Sequence, residues 1–582
     1  MSPAGAAEGD PRPIRAESRA ESRAAVRAGV LRTLDLTGLA VALLAAWASL
    51  SPTLLPRTWY FQGVVTGLAV VLGYGVGALA GWPVRVLARR VGPGRTERLV
   101  PARWARRVGV ALVLAGAGWV GVVATREHAW TWRRLGYEPT VRPWAFLGIL
   151  VLAALTAGVM LLLARLVLAL WRLLHRAGRV VLPSWLAGVV AAVLVPWLLA
   201  LGFNTQVYER VLDAANETFS LTDRFVDRVD QPPPRGRTVS GGPASAHTWA
   251  SLGYEGREWV ARTPTPTELA RRVPAEHGPT LPPVRAYVGR ESSDEPEERA
   301  RLAVAELERL GGFARRAILV IVPTGTGWVD EQVVRPFEFL HAGDTATVAT
   351  QYSHLPSPLA FLAERATAKE SAAALIGAVR DRLSQIPAHR RPRLYVAGES
   401  LGAYALEGAF PNLTALAGGV DGAVVVGAPS MSTLRREAER DRRSGSPQVR
   451  PVVGDGRTVV FANRRGDLVA PGATRSPTVV FLQQPDDGVV WWDPRTAVER
   501  PDWLREPRAP EVNPAMEWRP VVTFLNLTVD MVVSNDFAEG AGHRYGTLPT
   551  DAWNAILAPG WEPDDLRLLR DDLARIQREL TW

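Results

Sequence analysis

The chain contains no cysteine and a single lysine, Lys369, yet arginine is abundant enough to leave a net charge of +9. Without thiols there is neither a disulfide framework nor a thiolate metal site, and the absence alone does not fix a redox compartment. The preference for arginine is the bias of a GC-rich bacterial genome. Much of that charge sits beside long apolar runs, where lipid headgroups and membrane topology account for it, so no nucleic-acid partner is inferred. The apolar runs carry no Asp, Glu, Lys or Arg in their central turns, which argues against an ion- or proton-driven carrier. The first thirty residues lack the apolar core and small-residue cleavage site of a removable signal peptide. Histidine is scarce where it counts: His128, His175, His247, His277, His341, His354 and His389 all precede residue 400, and only His543 follows.

Five apolar stretches occupy the first third, at about 36 to 53, 60 to 81, 107 to 125, 144 to 165 and 181 to 202. Each is long enough to cross a hydrocarbon core of about 30 Å as a helix. Trp59, Trp82, Trp144 and Trp185 fall near the ends of these stretches, as an aromatic belt places them. Arginines crowd the segment before the first stretch and the second and fourth connections, whereas the first connection has only Arg57 and the third mixes Arg126, Arg133, Arg134 and Arg142 with acids. The positive-inside rule therefore predicts a multi-pass protein with a cytoplasmic N-terminus and an extracytoplasmic C-terminal part. The expected organisation is a disordered basic tail (1–32), a five-helix transmembrane domain (33–203), a membrane-proximal helix with a Pro-rich linker (204–247), and a catalytic domain (248–582).

Beyond the linker the pattern alternates. Strands are expected at Val284–Val288, Ala317–Val322, Thr345–Thr350, Arg393–Ala397, Gly422–Val426, Thr458–Phe461 and Thr478–Leu482, with helices at 295–310, 367–386, 401–410 and 518–533. Such alternation predicts a mostly parallel sheet covered on both faces. The fold class expected is a transmembrane helical bundle followed by an α/β-hydrolase domain.

Gly398-Glu399-Ser400-Leu401-Gly402 follows one of these strands and opens a helix. Gly-x-Ser-x-Gly in that setting is a nucleophile elbow, a strained turn that lifts a serine hydroxyl clear of the sheet. The hydrolase chain order places the base after the nucleophile, which leaves His543, in Gly540-Ala541-Gly542-His543-Arg544-Tyr545-Gly546. An oxyanion hole needs two backbone amides, one from the residue after the nucleophile, Leu401, and one from the loop Pro323-Thr324-Gly325-Thr326-Gly327-Trp328, with Thr326 the candidate. That glycine loop lacks a following Gly-Lys-Ser/Thr and is not read as a phosphate cradle. For the acid, Asp487 is favoured over Asp467; both lie just past strand ends, where a carboxylate can orient an imidazole. Gly325, Gly327, Trp328, Glu399 and Tyr352 are candidates for the substrate pocket, with Gln351, His354 and Trp492 behind them. No metal or cofactor is called for.

The chain also resembles a family of multi-span bacterial membrane proteins, best known from actinobacteria, that carry an extracytoplasmic α/β-hydrolase domain. The resemblance rests on Ser49 to Arg57 (SLSPTLLPR), Gln62 to Gly75, Thr324 to Trp328, Gln351 to Leu362, Gly398 to Gly402, Phe481 to Trp492, Pro501 to Pro507 and Gly542 to Gly546. It implies Ser400 as nucleophile, Asp487 as acid and His543 as base. The aspartate loop departs from the pattern, having Gln483-Gln484 before the acids and Gly488 after them, which keeps Asp467 open. The function expected is a membrane-anchored serine esterase acting on lipid or cell-envelope esters, with membrane lipids as its surroundings. An acyltransferase using the same three residues and a non-catalytic envelope scaffold are the rivals.

Overall fold

The computed structural model describes residues 36–91, 126, 128–138, 143–203, 232–468, 476–505 and 507–580. The chain divides into two compact units: 1–51, 58–126 and 140–168 form one, and 52–57, 127–139 and 169–582 form the other.

In the first unit, helices Leu36–Ser49 and Trp59–Val91 pack closely. Small residues make this approach feasible, since a Cβ on Gly77 would sit 2.5 Å from the Thr37 carbonyl oxygen and one on Gly73 would sit 2.6 Å from Ala45 Cβ. The Thr37 hydroxyl donates to the Gly77 carbonyl at 3.0 Å. At one end, Gln62 Nε2 donates to Ser49 O and Thr66 Oγ1, each at 3.0 Å.

Among the described residues, two helical stretches are long and apolar enough to cross a membrane, Trp59–Pro83 and Trp144–Gly178. They coincide with the second and fourth of the five expected spans. The described part of the first stretch is the 14-residue helix Leu36–Ser49. The fifth stretch falls on the 20-residue helix Ser184–Phe203, and the stretch at 107–125 lies outside the described residues, as does the helix expected at 204–229.

The second unit is built on a seven-stranded, wholly parallel sheet: β1 (Val284–Val288), β2 (Ala317–Val322), β3 (Thr345–Thr350), β4 (Arg393–Glu399), β5 (Gly422–Val426), β6 (Val459–Ala462) and β7 (Val479–Leu482), in the order β1-β3-β2-β4-β5-β7-β6. All seven expected strands are present to within two residues at each end. Their runs of Val, Ile, Leu and Ala are continuous because helices cover both faces, and the two faces belong to separate apolar cores. Because the strands are parallel, every loop leaving a strand's C-terminal end emerges on one edge of the sheet, where α/β folds place their sites.

Behind that edge, Arg285 on β1 is fully buried. It forks to Glu331 at 2.8 and 3.0 Å and to Glu338 at 2.8 Å twice, both on helix Glu331–Leu340. Two carboxylates two turns apart on one helix make a buried guanidinium tolerable and fix the helix that follows the Thr324–Trp328 loop.

Candidate active site

Ser400 sits between β4 and helix Leu401–Leu406 with φ 54° and ψ −118°, a left-handed conformation rare for a residue with a side chain. Its flanking glycines are sterically required. A Cβ on Gly402 would lie 2.1 Å from the Val322 carbonyl oxygen, and one on Gly398 would lie 2.6 Å from Gly402. The Ser400 amide donates to Val426 O at 2.9 Å, tying the turn to β5. Leu401 opens the helix, so its amide has no partner one turn earlier and is free to meet a developing negative charge.

Asp487 follows β7 and is completely buried. As N-cap of Gly488–Trp491, its Oδ1 accepts from the amides of Val489 at 2.8 Å and Val490 at 3.4 Å. Its Oδ2 accepts from Tyr545 Oη and pairs with His543 Nδ1, both at 2.7 Å. Four donors thus surround one carboxylate, the compensation a buried anion needs. The imidazole is held with its other nitrogen, Nε2, buried and without a protein partner. Room for the ring comes from Gly427 at the end of β5, where φ is +57° and a Cβ would stand 2.4 Å from His543 Cε1.

Ser400 and His543 line the same cavity of about 410 Å³, together with Thr326, Trp328 and Glu399. Asp330, Glu255, Glu539 and Arg544 complete its charged lining. Burial, then the neighbouring Asp330 carboxyl, pushes Glu399 well above the usual carboxylate range. Burial likewise raises Asp330. Two carboxyl groups whose charged forms are disfavoured by burial therefore lie beside the serine.

Asp467 is not part of this arrangement. It pairs with Arg450 and Arg464, accepts the Asn463 amide at 3.1 Å, and lines a separate pocket beside β6. Gly325, Gly327 and Tyr352 do not line the cavity either. The glycines are set by packing: a Cβ on Gly325 would meet Leu355 O at 2.5 Å, and one on Gly327 would meet Tyr287 Oη at 2.2 Å. Tyr352 lies in the core under the sheet, 1% exposed. Gln351 serves the loop by donating to Thr326 O at 2.9 Å, while its Oε1 accepts the Arg290 amide at 3.1 Å. His354 pairs with Glu291 at 3.4 Å, and Trp492 Nε1 donates to Thr528 Oγ1 at 2.9 Å.

Sequence reasoning missed Gly427, Tyr545, Asp330 and the neighbours of Asp486. Tyr545 had a local signal, standing two residues after His543 in the same glycine-rich loop; the others are joined only by the fold.

Two family models match the chain: the α/β-hydrolase family over residues 284–569 and the α/β-hydrolase family N-terminus over residues 50–264. No curated protein and no solved structure gives a significant match.

Proposed function

Because the chain belongs to an α/β-hydrolase family, we propose that it is a membrane-anchored serine hydrolase cleaving esters of lipids or lipid-linked envelope components. One observation carries the reading: a buried imidazole, bonded through Nδ1 to an enclosed carboxylate and with Nε2 unpartnered, lines the same cavity as a strained elbow serine.

In this reading Ser400 Oγ attacks the ester carbonyl and His543 Nε2 takes its proton. Asp487 holds the Nδ1–H tautomer and stabilises the imidazolium that forms. The amides of Leu401 and Thr326 receive the negative oxygen of the tetrahedral intermediate. His543 then returns its proton to the leaving alkoxide, giving a free alcohol and a Ser400 ester. Water, deprotonated by the same nitrogen, releases the acid. An acyltransferase would differ only in the nucleophile that resolves the acyl-enzyme.

Membrane anchoring is supported by the two long apolar helices, of which the window in Trp144–Gly178 is only 6% buried. The arginine distribution favours a cytoplasmic N-terminus and an extracytoplasmic site.

A fluorophosphonate probe tests the reaction. Wild-type protein is expected to be labelled and Ser400→Ala to lose labelling by at least ~10³-fold. Folded wild type that resists the probe would return the domain to a binding or scaffolding role. Product analysis with and without an added alcohol separates hydrolysis from transfer.

A further inference from the structure

The segment Ser51–Arg57 joins two apolar helices, and a connection of that kind ordinarily lies open to solvent. Here every residue from Ser51 to Arg57 is buried, Thr53 at 1% exposure and Arg57 at 8%. Residues 52–57 belong to the hydrolase unit, and so does 127–139. Both contribute polar anchors to it. The Thr53 hydroxyl and the Leu54 amide donate to Asp530 Oδ2, and Arg57 Nη1 donates to Asn526 Oδ1 at 2.8 Å. From the other segment, Arg134 pairs with Asp486, and Thr131 Oγ1 accepts from Asn513 Nδ2 at 2.9 Å.

One of these anchors ends on the loop that carries Asp487, and two end on the helix Val522–Val533 that leads to the loop of His543. Asp486 precedes Asp487 and its Oδ1 accepts the amide of Gly542, which precedes His543, at 3.3 Å. The Arg134–Asp486–Gly542 chain thus runs beside the Asp487–His543 pair, one residue earlier on both loops. Asp530 leads to the same place by another route. Ser534 Oγ donates to Asp530 O at 2.7 Å and accepts the Gly488 amide at 3.1 Å, and Ser534 O accepts the His543 amide at 2.9 Å. Leu55 reaches the same corner, since a Cβ on Gly542 would lie 3.4 Å from Leu55 Cδ1. Asp486 is 1% exposed, and burial pushes it up to about 6 with Arg134 opposing that shift. Without Arg134 it would be an unpaired acid beside the acid–base pair.

We infer that the two connections between the apolar helices are structural parts of the acid–base half of the site, with Arg134 and Thr53 as positioning residues for Asp487 and His543. The inference rests on the hydrolase reading for its consequence and on the hydrogen-bond chain for its substance. A misplacement of about 1 Å at reacting groups can cost on the order of 10²-fold in rate. The hydrolase domain therefore depends on the N-terminal half for its geometry as well as for its location.

The test uses the full-length protein and the fluorophosphonate probe, with Arg134→Gln, Arg134→Lys and Thr53→Val beside wild type. Arg134→Gln and Thr53→Val are expected to lower the maximal labelling rate of Ser400 by roughly 10- to 100-fold. The half-saturating probe concentration should stay within about twofold, because binding is separate from positioning. Arg134→Lys keeps a cation and should recover much of the loss. Amide exchange of residues 540–546 should quicken in Arg134→Gln whether or not the protein reacts. Wild-type labelling rates in Arg134→Gln, or unchanged exchange of 540–546, would overturn the inference. Should wild type itself fail to label, the hydrolase reading falls, and the exchange measurement alone decides whether the clamp exists.

Discussion

The helix Pro143–Gly178 and the strands of the sheet are both rich in Leu, Val, Ala and Ile, and they treat them in opposite ways. The helix leaves Leu147, Leu150, Leu155, Val159 and Leu162 more than half exposed, whereas β1, β2, β3, β5 and β7 bury every residue. Apolar content alone does not say which solvent a segment is written for; its neighbours do. In the sheet, each side chain is enclosed by protein, so one added methyl is felt. Along the helix, the outer face meets no protein, and its composition answers to whatever fluid surrounds it.

Glycine substitutions give the sharpest contrast. Gly402→Ala drives a methyl to 2.1 Å from Val322 O and is expected to destabilise the hydrolase unit by about 3 kcal/mol or more, with loss of Ser400 labelling. Gly158→Ala, in the exposed helix, meets nothing within 4 Å and should leave stability unchanged or raise it by at most ~1 kcal/mol. Thermal unfolding of the two variants checks both; equal losses would erase the distinction between the regions.

A charge probes the helix directly. Leu155→Arg, at a position 59% exposed, should cost insertion roughly 3 kcal/mol if that face meets lipid. Membrane fractionation would then show less protein retained, with the retained fraction labelled as wild type. Normal retention would mean the face is covered by something other than hydrocarbon.

The smallest effect is expected at Glu399. In the unfolded chain it loses its proton near pH 4.5, but in the folded site it holds that proton to higher pH. Over that interval the unfolded state binds fewer protons, so the stability linked to this group is complete below pH 4.5 and declines as pH rises. Glu399→Gln removes the dependence. Its melting temperature should match wild type at pH 4 and exceed it at pH 8. A gain confined to low pH would reverse the assigned sign.

Much of the sheet was legible because parallel strands are continuous apolar runs, and β1, β2, β3 and β5 fall on the residues the runs mark. The elbow was legible because its determinants lie within five residues. His543 could be singled out because chain order left one candidate, and the structure places Asp487 rather than Asp467 against it. Of the five expected spans, those at 60–81 and 144–165 coincide with helices of membrane length among the described residues, because hydropathy marks a long apolar run directly. The docking of Pro52–Arg57, by contrast, was illegible. Its partners, Asn526 and Asp530, lie more than 460 residues away and are ordinary polar positions on an apolar helix until the chain is folded. Arg134, equally, reads as one more topology-setting charge until Asp486 is beside it.

The missing side chain at position 427 acts as a mould for the base. A ring pressed where a methyl group would otherwise stand has little freedom to tip or slide, so the orientation of the imidazole is prescribed from the sheet side by an absence and from the loop side by a carboxylate. A chain of this type that kept histidine but replaced that glycine would have to swing the ring away from the serine, and could carry every recognisable motif while being inert.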